Sequence, residues 1–247
     1  VIVRKNPKNI RIEKDSMGNV NIPKKALYGP QTQRAVDNFK ISNLVMPKEF
    51  IIALLDIKKS AAQANKNLRI LNQKKSNSII KSIDYIKKNY NYSDFPVDVF
   101  QTGSGTSTNM NVNEVISNIS RKKYKTLVHP NDDVNLCQSS NDVIPSAINI
   151  SAARLVHNNL LPAMIRLSKA INKKSKELKG IVKTGRTHLM DAMPITFEQE
   201  LLSWKCQIDE DIMNVKTSLN NIKKIPVGGT AIGSGINAHK NFSKEFK

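Results

Sequence analysis

The sequence predicts a mainly α-helical protein in which a small mixed N-terminal domain, residues 1–133, leads into a bundle of long helices, residues 134–247. Three observations predict it. Apolar residues recur close to every 3.6 positions from Pro47 to about Leu71. Two longer helical patterns run from Ser139 to about Leu178 and from Thr196 to about Ile225. Alternation of the strand kind is confined to one short stretch near the start.

Taken in chain order, IRIEKDSMGNVNIP alternates around Met17-Gly18-Asn19 and predicts a β-hairpin ending at Pro23, the only strand pair expected. ALYGPQTQRAVDNF then passes from a Gly-Pro turn into a short helix. Phe50, Ile51, Leu54, Leu55, Ile57, Ala61, Ala64, Leu68 and Leu71 line one face of the helix that follows. Ile79, Ile80, Ile83 and Ile86 mark a second amphipathic helix, and Asn109 to Tyr124 a third. A change in composition near Val134 suggests the domain boundary. In the long pattern beyond it, Pro145 falls in the first turns, where proline is tolerated, and Pro162 predicts a kink. Thr196 and Gln199 make a capping-box pair after Pro194, which marks the last long helix start.

Three polar runs stand out against this helical background: FQTGSGTSTNMNVNE at 100–114, HPNDDVNLCQSSND at 129–142 and GRTHLMDAMPIT at 185–196. Each reads as the opening of a helix. The first turn of a helix presents unpaired backbone N–H groups and partial positive charge, which suits a carboxylate. Small hydroxyls beside those amides add donors without bulk, and Gly103 and Gly105 allow close backbone approach or positive φ. Any one run alone is equally a set of caps and turns. Three together point to one divided anion site.

The bulk numbers narrow the class. The formal charge of +19 would ordinarily suggest nucleic acid or an anionic membrane surface. The excess is lysine, however, 31 Lys against 8 Arg, and aromatic residues make up only 5%. Lys58/Lys59, Lys74/Lys75, Lys87/Lys88, Lys173/Lys174 and Lys223/Lys224 lie in or beside helical stretches and read as solvated faces rather than a nucleic-acid surface. A basic surface can also steer a dianion, a salt-sensitive rate effect. Cys137 and Cys206 are far apart and in no CxxC or metal-like spacing, and the four histidines show no close pairing, so no disulfide framework and no metal site is expected. No apolar run approaches the ~20 residues that span a bilayer, and no signal-peptide pattern is read at the start. A soluble, cytoplasmic protein is expected.

The chain resembles the fumarase/aspartase superfamily, and within it the class II fumarases. The resemblance rests on YGPQTQRAVDNF (28–39), TGSGTSTNMNVNEV (102–115), VHPNDDVN (128–135), QSSND (138–142), GRTHLMDA (185–192) and GGTAIGSGIN (228–237). It implies reversible hydration of fumarate to L-malate, a step of the tricarboxylic acid cycle, without metal or organic cofactor. By position, Ser104, Gly105 and Thr106 would bind one substrate carboxylate, and Ser139, Ser140, Asn141 and Thr187 would make further contacts. His188 would be the acid/base partner. Imidazole suits that role because its unperturbed pKa of roughly 6.5 lets it take and return a proton near neutrality. The harder step removes a weakly acidic C–H proton beside a carboxylate, and the aci-carboxylate formed needs pre-placed donors. His157 and His239 read as structural.

His129, Pro130, Asn131 and Asp132 resemble a second dicarboxylate site outside the catalytic pocket, and read alternatively as a Pro-Asn-Asp turn. Many relatives carry an arginine three residues before this histidine, where this chain has Thr126, which weakens the expected anion affinity. Relatives also continue beyond the position of Lys247 with more bundle helices, a small C-terminal domain and a loop of SSxMPxKxN type that supplies the carbon base, a lysine and an asparagine. The expectation is therefore that the C-terminal part of the family fold is absent from these residues and that alone they lack hydratase activity. Family active sites are assembled from three subunits of a homotetramer.

The alternatives are an aspartate ammonia-lyase of the same superfamily and a non-catalytic helical protein that assembles with other subunits or binds nucleic acid. Aspartases typically show GRTQ and STND where this chain has GRTH at 185–188 and SSND at 139–142, which favours the hydratase. Steeply salt-dependent DNA binding would favour the nucleic-acid reading.

Overall fold

Ile10–Asp15 (β1) and Gly18–Pro23 (β2) pair antiparallel in the computed structural model, which describes residues 9–246. The hairpin closes between Asp15 and Gly18, with Gly18 at φ 111°, so the turn residues are Ser16 and Met17. Helices follow at Pro30–Asn38 (α1), Lys48–Asn67 (α2), Gln73–Lys88 (α3) and Thr106–Tyr124 (α4). After a π-helical turn at Pro130–Val134 comes Ser140–Leu155 (α5). A second π-helical turn, Val156–Leu160, precedes Leu161–Glu177 (α6), then Val182–Thr187 (β3), Met190–Thr196 (β4), Phe197–Asn221 (α7) and Phe242–Glu245 (α8).

The chain divides into two compact units, Val1–Ser151 with Ile225–Lys247, and Ala152–Lys224. This division falls late in α5 and after α7.

In the first unit the apolar faces of α2, α3 and α4 meet. Ile51, Leu54, Leu55, Ile79, Ile83, Val112, Val115 and Ile116 are completely buried there. Each such side chain stabilises the fold by roughly 1.5–3 kcal/mol through the water it sheds. The stripe expected from Phe50 to Ala64 is the stripe observed on α2. α4 is unusual in being buried nearly all round despite its polarity, with Asn109, Asn111, Asn113 and Glu114 among the buried residues.

Glu114 explains part of that polarity. Its carboxylate accepts from the backbone N–H groups of Gly29 (2.8 Å), Gln31 (2.9 Å) and Thr32 (3.1 Å) and from the Thr32 hydroxyl (2.5 Å). Gly29 has no side chain with which to cap α1, so a residue of α4 satisfies its first turn instead. A Cβ on Gly29 would stand 2.7 Å from the Glu114 carboxyl carbon, so a side chain there would displace the carboxylate from these donors. Burial pushes the Glu114 carboxyl above its ordinary value, and the four donors offset this only in part.

In the second unit α6 packs on α7, where Asp209 accepts from the Ser168 hydroxyl at 2.6 Å and from Lys205 at 2.5 Å. The kink expected at Pro162 corresponds to the π-helical turn ending at Leu160, since proline supplies no N–H to the preceding turn. The capping box at the start of α7 is present in both directions: Gln199 N–H donates to the Thr196 hydroxyl (3.1 Å) and Thr196 N–H to Gln199 Oε1 (2.9 Å).

Two expectations are corrected. The run GRTHLMDAMPIT does not open a helix: it forms most of the β3–β4 hairpin, so β1–β2 is not the only strand pair. The strands Val182–Thr187 and Met190–Thr196 alternate poorly in hydrophobicity, and it is their pairing, not a buried face, that holds them extended. The second correction concerns Lys58, which is fully buried rather than part of a solvated lysine face. No helix among the described residues is long and apolar enough to cross a membrane.

Candidate functional site

The two hydroxyl-rich runs of the first unit become neighbouring helix starts. Gly105 is the N-cap of α4 with φ 69°, a left-handed conformation that favours glycine, and a Cβ there would press on the Ile144 side chain of α5 at 3.1 Å. The glycine thus allows the start of α4 to lie against the first turns of α5. Ser104 and Thr106 flank it, both exposed, with their hydroxyls 2.8 Å apart.

α5 begins in a similar way. The Ser139 hydroxyl accepts from Asn141 N–H at 3.3 Å, and Asp142 Oδ1 accepts from Ser139 N–H at 2.9 Å, a reciprocal cap. Ser139 and Ser140 are half-buried and Asn141 is exposed. The glycine-rich run GGTAIGSGIN returns to this helix start: Asp142 Oδ2 accepts from Gly228 N–H (3.1 Å) and Thr230 N–H (2.9 Å), and the Asn141 amide donates to Ala231 C=O (2.8 Å).

Beneath these caps lies a polar network that sequence reasoning missed. Lys58 Nζ donates to Asn135 Oδ1 at 2.7 Å; Asn109 Nδ2 donates to the same oxygen at 3.2 Å and approaches the Ser140 hydroxyl at 3.4 Å. Burial drives the Lys58 pKa down to about 7, with the Asp142 carboxylate opposing the shift. A signal was present: Ile51, Leu54, Lys58, Ala61 and Asn65 follow the helical repeat of one face, and all five are 0% exposed. A lysine in the phase of a buried stripe is not a solvated lysine.

Thr187 and His188 belong to the second unit. Thr187 pairs with Met190, leaving His188 and Leu189 as the two turn residues of the β3–β4 hairpin, at φ 52° and 62°. Both are exposed, and both occupy a backbone region that costs non-glycine residues energy. Of the sequence-derived site residues, then, Ser104, Gly105, Thr106, Ser139, Ser140 and Asn141 share one unit, while Thr187 and His188 lie at a hairpin tip in the other.

Pro130, Asn131 and Asp132 lie in the π-helical turn Pro130–Val134 before α5, and His129 is its N-cap. The His129 Nδ1 atom lies 3.1 Å from both the backbone N and the carboxylate of Asp132. Asp133 accepts from His129 N–H and pairs with Lys75 at 2.8 Å. A cleft of about 610 Å³ opens here, lined by Lys75, Arg121, His129 and Asn131 among others. Thr126 is buried, its hydroxyl donating to Tyr124 C=O at 3.1 Å. Among the described residues no group of three His, Cys, Asp or Glu side chains is placed to hold a metal ion.

A family model described as Lyase matches residues 18–247. The chain belongs to this lyase family. Among its relatives, the chain is 50% identical over 239 residues to a fumarate hydratase class II of Wigglesworthia glossinidia brevipalpis, covering 94% of this chain and 52% of that protein. It is 50% identical over 240 residues to the fumarate hydratase class II of Xylella fastidiosa strain 9a5c, covering 97% of this chain and 50% of that protein. The crystal structure of a class II fumarase from Schistosoma mansoni superposes with a TM-score of 0.90 at 38% identity, over 96% of this chain and 51% of that one. The chain spans about half the length of the curated relatives it matches.

Proposed function

We propose that this lyase works as a class II fumarate hydratase, adding water reversibly to fumarate to give L-malate. The observation that carries the reading is the closeness of two helix starts, with Ser104 and Thr106 on one and Ser139, Ser140 and Asn141 on the other, where Gly105 leaves room for the Ile144 side chain and Asn109 Nδ2 lies 3.4 Å from the Ser140 hydroxyl. Backbone N–H groups and small hydroxyls at two adjacent helix ends make a carboxylate receptor. The printed names of the relatives support the substrate class.

In this reading Ser104, Gly105 and Thr106 hold one carboxylate, and Ser139, Ser140, Asn141 and Thr187 complete the substrate contacts. His188 takes a proton from the attacking water during hydration and returns it to the departing hydroxyl during dehydration. The electron pair left on carbon is carried as an aci-carboxylate, whose charge the helix-start donors offset. The carbon itself is protonated by a group that the family resemblance places in its SSxMPxKxN loop. The reading includes a homotetramer with shared sites, a cytoplasmic location, no nucleic-acid partner and no metal or organic cofactor. It also includes a family division at residues 133/134, and a second dicarboxylate contact at His129, Pro130, Asn131 and Asp132, with Thr126 weakening it.

The experiment follows fumarate loss by absorbance with two samples: the 247 residues alone, and a polypeptide extended to the relatives' length. The extended enzyme is expected to form L-malate and the short chain to match the blank. Formation of aspartate from fumarate and ammonia, without malate, would transfer the protein to the ammonia-lyase reading.

A further inference from the structure

Lys58 is a costly residue in its place. An ammonium brings three N–H donors into a site from which water is excluded, and one Asn135 oxygen at 2.7 Å is the acceptor it meets there. An apolar side chain of similar volume would pack among Leu54, Leu55 and Ala61 without that penalty. Stability alone does not account for a lysine here.

Its connections offer a different account. The Asn135 oxygen that receives Lys58 also receives Asn109, which orients the Asn109 amide, and the same Nδ2 reaches the Ser140 hydroxyl. Asn109 belongs to α4, whose start carries Ser104 and Thr106, while Ser140 opens α5. Asn135 in turn donates to Gln138 C=O at 3.2 Å, tying down the segment that leads into the Ser139 cap. One buried lysine therefore lies behind both helix starts. Asp142, the charged neighbour on α5, is held by three backbone N–H groups.

We propose that Lys58 is a positioning residue of the dicarboxylate site, acting through Asn135 and Asn109 to fix Ser140 and the start of α5 against the start of α4. The inference rests on the hydratase reading and deepens it.

The test uses the enzyme extended to the relatives' length, with Lys58→Met, Asn109→Ala and the double variant. Lys58→Met is expected to raise KM for fumarate about tenfold and change kcat less than about threefold, without lowering the thermal midpoint. Asn109→Ala leaves the lysine and cuts the link, and is expected to raise KM similarly. The double variant should lose no more than either single, because both interrupt one chain. A Lys58→Met enzyme with wild-type KM, or two losses that multiply, overturns the proposal while leaving the hydratase reading intact. Should Lys58→Met not fold, wild-type KM in Asn109→Ala overturns it equally, and a raised KM supports it. A wild-type enzyme that neither turns over fumarate nor binds succinate removes the hydratase reading, and this inference with it.

Discussion

Asp142, in the first turn of α5, accepts the backbone N–H of Thr230 at 2.9 Å across 88 residues of sequence. With the Gly228 and Ser139 amides it receives three backbone donors at one carboxylate, so the glycine-rich return segment and the α5 cap share an anchor. Such an anchor has a measurable weight.

Replacing Asp142 with alanine should destabilise the first unit by roughly 2–4 kcal/mol, because three buried or half-buried N–H groups lose their acceptor. Asp142→Asn, which keeps one oxygen, should cost less. Urea unfolding of both variants checks the order, and an alanine variant within about 0.5 kcal/mol of wild type would show that the anchor is dispensable.

Lys58 predicts a pH dependence of stability. Its folded pKa of about 7 lies below the ordinary 10.5, so between those values the unfolded chain holds a proton that the folded chain has released. Stability from this group therefore rises with pH across that window and is flat below it, by a few kcal/mol in all. Denaturant midpoints measured across pH 7 to 10 should climb in wild type relative to Lys58→Met. Parallel profiles would show that the lysine keeps its proton when folded.

His188→Asn in the extended enzyme should lower kcat/KM by about 10²–10⁴, the usual weight of a general acid–base group. His157, exposed within the π-helical turn after α5, serves as the control, and His157→Asn should retain activity. Equal activity of both variants would remove His188 from the chemistry.

Leu189 predicts an unusual gain. It occupies the second turn position of β3–β4 at φ 62° with 96% of its surface exposed, so its side chain contributes little packing while its backbone is strained. Leu189→Gly should raise the stability of the second unit by about 0.5–1 kcal/mol. Thermal unfolding would register the shift, and a lower midpoint would mean that the leucine packs after all.

The two hydroxyl-rich helix starts are legible in the sequence. The hydroxyls around Gly105 and the QSSND run follow from residue types at helix starts, and the Thr196–Gln199 box follows from spacing. His188 reads from the sequence as part of a helix start and lies instead in a hairpin turn, because the polar composition of 185–196 does not distinguish a cap from a hairpin turn. Its positive φ is a property of the turn that no propensity for histidine predicts. Lys58 was misjudged by residue type, since lysine is ordinarily solvated.

The sequence by itself determined the helical class, the order and faces of α2, α3 and α4, and the hydroxyl-rich character of the runs at 100–114 and 129–142. These depend on local periodicity and capping, which are written within a few turns of chain. Only the tertiary structure decided that Glu114 caps α1, that Asp142 receives a segment 88 residues away, and that a lysine lies beneath two helix starts. Those contacts join residues with no periodic relation in the chain, and they form because buried donors and acceptors must find partners wherever packing brings them.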